Sequence, residues 1–399
     1  MTRRSQSVIP YILFCIWPIT LLPKVLQLGV LFAIGALMIA WSYKTMGKYV
    51  IQAPEIALFI YFCIYFLSVA INLSHSDTER ILATFNTLTL WVISITLYFL
   101  YKNSSFNISS ISIIAYINII VMIFLSLVYY LRSDLQVSFL NRSLVGRDWI
   151  DGEESNRFFA FFEYPNLVAA FCLILFPISL RIVSKAKSRI YVYSYCFSIL
   201  IPISACASRM GLILGIVLVT TSILYVHSQA TKKILSTQII IAFLTFLVVA
   251  ITFIYRDVLV NVLENIFFSR SGSNSVRFNL YEVSLTQMLD RNILLGCGIK
   301  EISPMFGDAV PLGSHSTYLG VLYKTGILGF LCFMAALALI IKNILHNAAN
   351  SLFSVSCTFI ILLFFTLEDI DGANWLLALL LGTAGALSNK QESREQELL

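Results

Sequence analysis

An all-α protein that crosses a membrane many times is the fold class this sequence predicts, and three observations predict it. Of 399 residues, 58% are hydrophobic and only 12% charged, against about 25% charged in a soluble domain. The mean hydropathy is +0.85. The apolar residues gather in runs of about 20, and they do not alternate as the strands of a membrane β-barrel would. A lipid-exposed backbone must satisfy its own hydrogen bonds, so runs of this kind form helices.

Such runs lie near 7–23, 25–43, 54–73, 81–101, 108–131, 167–183, 190–208, 210–228, 234–255, 317–342, 352–368 and 374–388, which predicts about twelve transmembrane helices in one integral membrane domain over 1–399. Pro177 and Pro202 fall inside runs, where kinks are expected. The start, Met1-Thr-Arg-Arg4, has the basic flank of a signal peptide without a small-residue cleavage site, and reads as a retained first helix.

Short loops set the orientation. With the N-terminus in the cytoplasm, most Lys and Arg of the short loops fall inside, as the positive-inside rule requires. The cluster Arg181, Lys185, Lys187 and Arg189 is the firmest pin. Both termini are then cytoplasmic, and two long loops, 132–166 and 256–316, are external. The first carries Trp149 and Phe158, Phe159, Phe161 and Phe162. The second has an amphipathic stretch from Arg277 to Leu295, with Leu280, Val283, Ser284, Gln287 and Met288 near one helical face. Loops this long are uncommon unless functional, so helical loops capping a cavity are expected.

The formal charge of +6 comes from dispersed cations with no basic stripe, which argues against nucleic acid as a partner. Seven of the eight cysteines lie in apolar runs, so neither a disulfide framework nor metal-ligand spacing appears. The acids of the first loop, Asp148, Asp151, Glu153 and Glu154, form no Asp-x-Asp pair. No metal and no cofactor are expected.

Polar residues at the outer ends of spans carry the candidate chemistry. His315 stands where the second loop re-enters the membrane, within Gly313-Ser-His-Ser-Thr-Tyr-Leu319. Ser314 or Ser316 can cap the helix that follows, and a histidine there can accept a proton from a hydroxyl at neutral pH. The plainer alternative is an interfacial hydrogen bond. Arg209, in Ala207-Ser-Arg-Met-Gly211, joins two apolar runs almost without a loop. An arginine at that depth calls for an anionic partner, and a guanidinium fork suits phosphate; a snorkelling topological charge is the alternative. Arg270 and Arg277 flank a Ser/Gly stretch expected to form a turn, the second arginine opening a helix, and together they could clamp an anion. Arg157, Asn166, Tyr281 and Tyr318 are further candidate contacts for a glycan or an acceptor.

Ser208-Arg209, the long loop with Arg277, Gly296-Cys-Gly298, and His315-Ser-Thr-Tyr-Leu319 followed by Gly326 and Gly329 together resemble the O-antigen ligase and polymerase superfamily of bacterial envelope glycosyltransferases. The specific part covers roughly 205–330. The resemblance implies a fold similar to the C-type glycosyltransferases and a metal-independent, inverting glycosyl transfer at the outer face of the cytoplasmic membrane. It implies an undecaprenyl-pyrophosphate-linked glycan as donor, with a lipid-linked repeat unit or lipid A core as acceptor. Membrane lipids and a chain-length regulator are the other partners it implies. Arg209, Arg277 and Arg270 would hold the pyrophosphate, and His315 would be the base. Ser316 after the histidine looks more like capsule or exopolysaccharide polymerases than ligases.

A transporter or flippase of lipid-linked glycans is the rival from another class. It would show internal repeats and charged, broken helices at the midplane. The sequence has no repeat, although Lys324 lies some way into its run and could sit deep, where snorkelling is the milder alternative.

Overall fold

The computed structural model describes residues 51–103, 108–132, 137–139, 142–150, 153–231, 271–302, 311–347, 351–369 and 375–388, with fragments between 21 and 40. The helices are α1 (Ala53–Asn72), α2 (Thr78–Asn103), α3 (Ile108–Leu131), α4 (Asn166–Val183), α5 (Arg189–Ser198), α6 (Leu200–Ala205), α7 (Arg209–Thr231), α8 (Ser271–Arg291), α9 (Thr317–Asn347), α10 (Ser351–Leu367) and α11 (Trp375–Leu387). Four strands lie between α3 and α4: β1 (Ser138–Phe139), β2 (Arg142–Ser143), β3 (Val145–Ile150) and β4 (Glu153–Phe158).

The chain is a helical, multi-pass membrane protein. Among the described residues six helices are long and apolar enough to cross a bilayer, and three shorter apolar stretches, Arg189–Ala205, Cys357–Thr366 and Leu376–Leu387, accompany them. The expected runs 7–23 (apart from 21–23) and 234–255 lie outside the described residues, and 25–43 is helical where it is described. The described helices therefore do not reach the count of twelve. The run 190–208 is divided into α5 and α6, which meet at Ile199. Pro202 explains the division, since its ring crowds the carbonyl four residues earlier, Ser198, where α5 ends.

Lipid tails are as apolar as leucine, so close van der Waals packing, rather than a hydrophobic drive, holds these helices together. Small residues permit it. α4 is buried almost throughout and lies against α3 and α7; a Cβ on Gly211 of α7 would stand 2.6 Å from that of Ala169. α2 lies on α11 in the same way, with Gly385 against the backbone of Tyr98. α1 packs on α9 through Tyr61, whose ring centroid is 4.6 Å from that of Trp91 and 5.5 Å from that of Phe333.

The 132–166 region departs from expectation. It holds no helix among its described residues before α4 but two antiparallel hairpins, β1 with β2 and β3 with β4 in register from Val145↔Phe158 to Ile150↔Glu153. Its sequence carries the reason. Asp-Gly is the strongest short hairpin signal, and it stands at 151–152 between two six-residue strands. In the second region the amphipathic helix is present, with Leu280, Ser284 and Met288 buried on one face. It begins at Ser271 rather than Arg277, so the expected Ser/Gly turn is helical.

α9 is two helices joined at Gly326, whose φ of 60° and ψ of −166° are not helical. The segment after α8 enters this break and exchanges backbone partners with it. Cys297 and Gly298 donate to the carbonyls of Tyr323 and Lys324 at 2.8 and 2.9 Å, while Ile327 and Leu328 donate to those of Ile293 and Leu294 at 3.0 and 3.2 Å. The carbonyls of Tyr323 and Lys324 and the amides of Ile327 and Leu328 are thereby paired across the break, as a low-dielectric interior demands. This clasp fixes α8 to the first half of α9.

Candidate active site

The helix ends nearest His315 meet on one face of the bundle. His315 itself has φ 62°, a left-handed conformation that costs a non-glycine residue about 1–3 kcal/mol and persists only when its surroundings impose it. Those surroundings are specific. Tyr281 donates its hydroxyl to the His315 carbonyl at 2.9 Å, and the Gly313 amide donates to Ser284 Oγ at 2.9 Å. Both partners come from α8. Ser316 accepts from the Leu319 amide at 3.4 Å, so it is Ser316, not Ser314, that caps α9; Ser314 donates to the Pro311 carbonyl.

From the other side, Thr317 donates both its amide (3.0 Å) and its hydroxyl (2.7 Å) to the carbonyl of Glu368, just beyond α10. The Glu368 carboxylate, only 8% exposed, lies 3.9 Å from Nη2 of Arg277 and accepts from Nδ2 of Asn166. Beside it, Asp369 is paired with Lys300, whose carbonyl accepts from Nε of Arg80 at 2.7 Å. Gly320 leaves room for that pair, since a Cβ there would lie 3.2 Å from Nζ of Lys300.

The electrostatics follow from this crowding. Burial, helped by the positive charge of Arg277 and Lys300 and opposed by Asp369, lowers the pKa of His315 from its ordinary 6.5 to about 4. Its imidazole is therefore neutral throughout the physiological range. Burial moves Glu368 the other way, from 4.5 to about 7, against the pull of Arg277 and the Asn166 hydrogen bond. Two neighbouring groups with pKa values moved in opposite directions are the pattern of an acid–base site.

Arg209 is the first residue of α7, and Ser208 caps the helix by accepting from the Gly211 amide at 3.2 Å. The chain turns here through Ala207, at φ 50°. Arg157 holds the turn from β4: it is buried, and its Nε and Nη2 donate to the Cys206 carbonyl at 3.2 and 2.6 Å. Arg157 thus supports the turn that presents Arg209, and its charge is also felt at Glu368.

The structure brings His315, Arg277, Tyr281 and Asn166 into one cluster, with Glu368 in the middle. Tyr318 turns toward α10, where its hydroxyl donates to the Leu362 carbonyl at 3.1 Å. Arg270 lies outside the described residues. Glu368, Asp369 and Lys300 are not among the residues the sequence nominates; the signal for the first two is an acid pair at the end of an apolar run. Lys324 is buried under the site, its Nζ 4.8 Å from the centre of the Tyr65 ring, and does not snorkel. An open groove of about 930 Å³ runs along another face of α8, between Glu282, Asp290 and Glu301. It includes none of the candidate residues.

Residues 194–334 match the family model described as O-antigen ligase. This segment is similar to the O-antigen ligase family. It contains Arg209, Arg277 and His315 together with both sides of the Gly326 clasp, whereas Asn166 and Glu368 lie outside it. No curated protein matches the chain.

Proposed function

We propose that the protein polymerises undecaprenyl-pyrophosphate-linked oligosaccharide repeat units, for O-antigen, capsule or exopolysaccharide, at the outer face of the cytoplasmic membrane. The observation that carries this reading is the cluster of Arg277, His315 and Glu368 at one end of a membrane bundle, of which Arg277 and His315 lie in the segment that matches the O-antigen ligase family. A guanidinium beside a neutral imidazole suits a reaction in which a diphosphate leaves as a hydroxyl attacks. The helical, multi-span architecture is consistent with a C-type glycosyltransferase.

In this reading Arg277 and Arg209 bind the pyrophosphate and offset the charge that develops on it. His315 takes the proton of the acceptor hydroxyl. The acceptor oxygen forms its bond to the anomeric carbon as the bond from that carbon to the pyrophosphate oxygen breaks, with inversion. Undecaprenyl pyrophosphate leaves with the electron pair, and the proton on His315 passes to water.

Ser316 after the histidine supports a polymerase. The description of the matching family favours the second reading, a ligase that transfers the glycan to lipid A core. Purified protein in lipid, given lipid-linked repeat units with and without lipid A core, separates the two on a gel: a ladder without core supports the polymerase, and a shift that requires core supports the ligase.

Two results should accompany the activity. Arg209→Lys is expected to lower the transfer rate roughly 10²-fold, as loss of an oriented donor to a developing charge does. An ammonium keeps the charge but lacks the planar fork. A fully active Arg209→Lys enzyme would leave Arg209 a topological charge. Turnover should also be unchanged by chelators. The arginines carry the charge of the leaving diphosphate in this mechanism, and a strict requirement for an added divalent cation would contradict it.

A further inference from the structure

We infer that Glu368 is a positioning residue of this site, setting the distance between the phosphate-binding Arg277 and the base His315 through contacts with three separate helices. This inference rests on the transferase reading proposed above, and it concerns a residue to which that reading gives no role. The carboxylate faces Arg277 of α8 and holds Asn166 at the start of α4. The main-chain carbonyl of the same residue accepts both bonds from Thr317, two residues beyond His315.

The two kinds of bond separate the side-chain role from the main-chain one. Any substitution at 368 keeps the carbonyl that receives Thr317, so the His315 segment retains its anchor. What is lost is the charge that steadies Arg277. A flexible arginine still attracts a diphosphate but no longer presents it at a fixed distance from the attacking hydroxyl, and a misplacement of about 1 Å can cost roughly 10²-fold in rate.

The carboxylate must be ionised to do this. It is surrounded by Arg277 and Tyr281 of α8, Arg157 of β4, Tyr164 before α4, and its neighbour Asp369. Burial dominates these influences and leaves the acid titrating at about 7. Glu368 steadies Arg277 above that value, and the hold weakens as pH falls through it.

Wild type, Glu368→Gln and Glu368→Asp, each in lipid nanodiscs, should be compared in two measurements across the neutral range. One is the rate of chain growth from lipid-linked repeat units; the other is calorimetric binding of farnesyl pyrophosphate as a short polyprenyl diphosphate probe. Glu368→Gln is expected to transfer about 10²-fold more slowly yet bind the probe more tightly above neutrality, because a negative charge has left the diphosphate's surroundings. The acid limb near neutrality should disappear from its rate profile. Glu368→Asp should restore the limb and part of the rate.

Glu368→Gln with an unchanged rate and an intact limb would overturn the inference. Equal loss of binding and turnover in a protein that melts at lower temperature would also overturn it, leaving a purely structural residue. If wild type binds the probe but builds no glycan, the transferase reading fails, and the binding curves still decide. Wild-type binding should strengthen relative to Glu368→Gln as pH falls through neutrality; identical curves would end the proposal.

Discussion

His315→Ala is expected to lower the transfer rate by about 10²–10⁴-fold, the usual contribution of a positioned general base, while binding of the lipid-linked donor changes little. The separation follows from the geometry: Arg277 lies on α8, and His315 projects from a segment held by its own main chain, through Tyr281 on one side and through Glu368 and Thr317 on the other. Removing the imidazole leaves those bonds in place. The pH profile supplies a second test. Burial and the nearby cations hold His315 at about 4, so the free enzyme loses its base only as pH falls through that value. The corresponding limb in kcat/KM should be absent from His315→Ala, whereas a limb near 7, belonging to Glu368, should remain. In kcat the histidine limb should move upward, because a bound diphosphate neutralises Arg277, one cause of the depression. A His315→Ala enzyme that polymerises at the wild-type rate would remove the base assignment. One that fails because it no longer binds donor would make His315 a phosphate ligand.

Gly326→Ala should unfold the clasp and abolish activity together. The observed φ and ψ lie in a region essentially confined to glycine, and a side chain forced there costs about 1–3 kcal/mol before any clash. The clash is severe, since a Cβ would stand 2.4 Å from both the carbonyl carbon and the oxygen of Leu294. Neither is the end of a flexible side chain, so backbone must move. Relief by straightening α9 would withdraw the partners of Cys297, Gly298, Ile293 and Leu294 in an interior without water to replace them. The melting temperature in detergent, followed by circular dichroism, should fall clearly below that of the wild type, and chain growth should be lost. A Gly326→Ala protein with wild-type melting and transfer would show that the break in α9 can close at no cost to the site.

Several elements were legible in the residues. The apolar runs from 54 to 131 and from 317 to 388 became helices because lipid leaves the backbone no other way to satisfy itself. The buried face of α8 was readable from the spacing of Leu280, Ser284 and Met288, and His315 stood out through its position at a re-entry point beside Gly313 and Ser316. The hairpins of 138–158 carry their signal in Asp151-Gly152, a turn dipeptide that the length of the loop does not reveal. Gly296, Gly298 and Gly326 were visible as a motif without a reason; the reason is a three-dimensional exchange of hydrogen bonds between α9 and the segment after α8.

The sequence by itself determined the solvent of this protein, its helical class and the nomination of His315, Arg209 and Arg277, because each depends on the local density of apolar and charged residues along one run of chain. Only the tertiary structure decided that Glu368 joins them. Its partner Asn166 is 202 positions away, and the two meet because α4 and α10, from distant parts of the chain, pack in contact. The same burial carries the acid up to about 7 and the histidine down to about 4, values that no spacing of residues along the chain encodes.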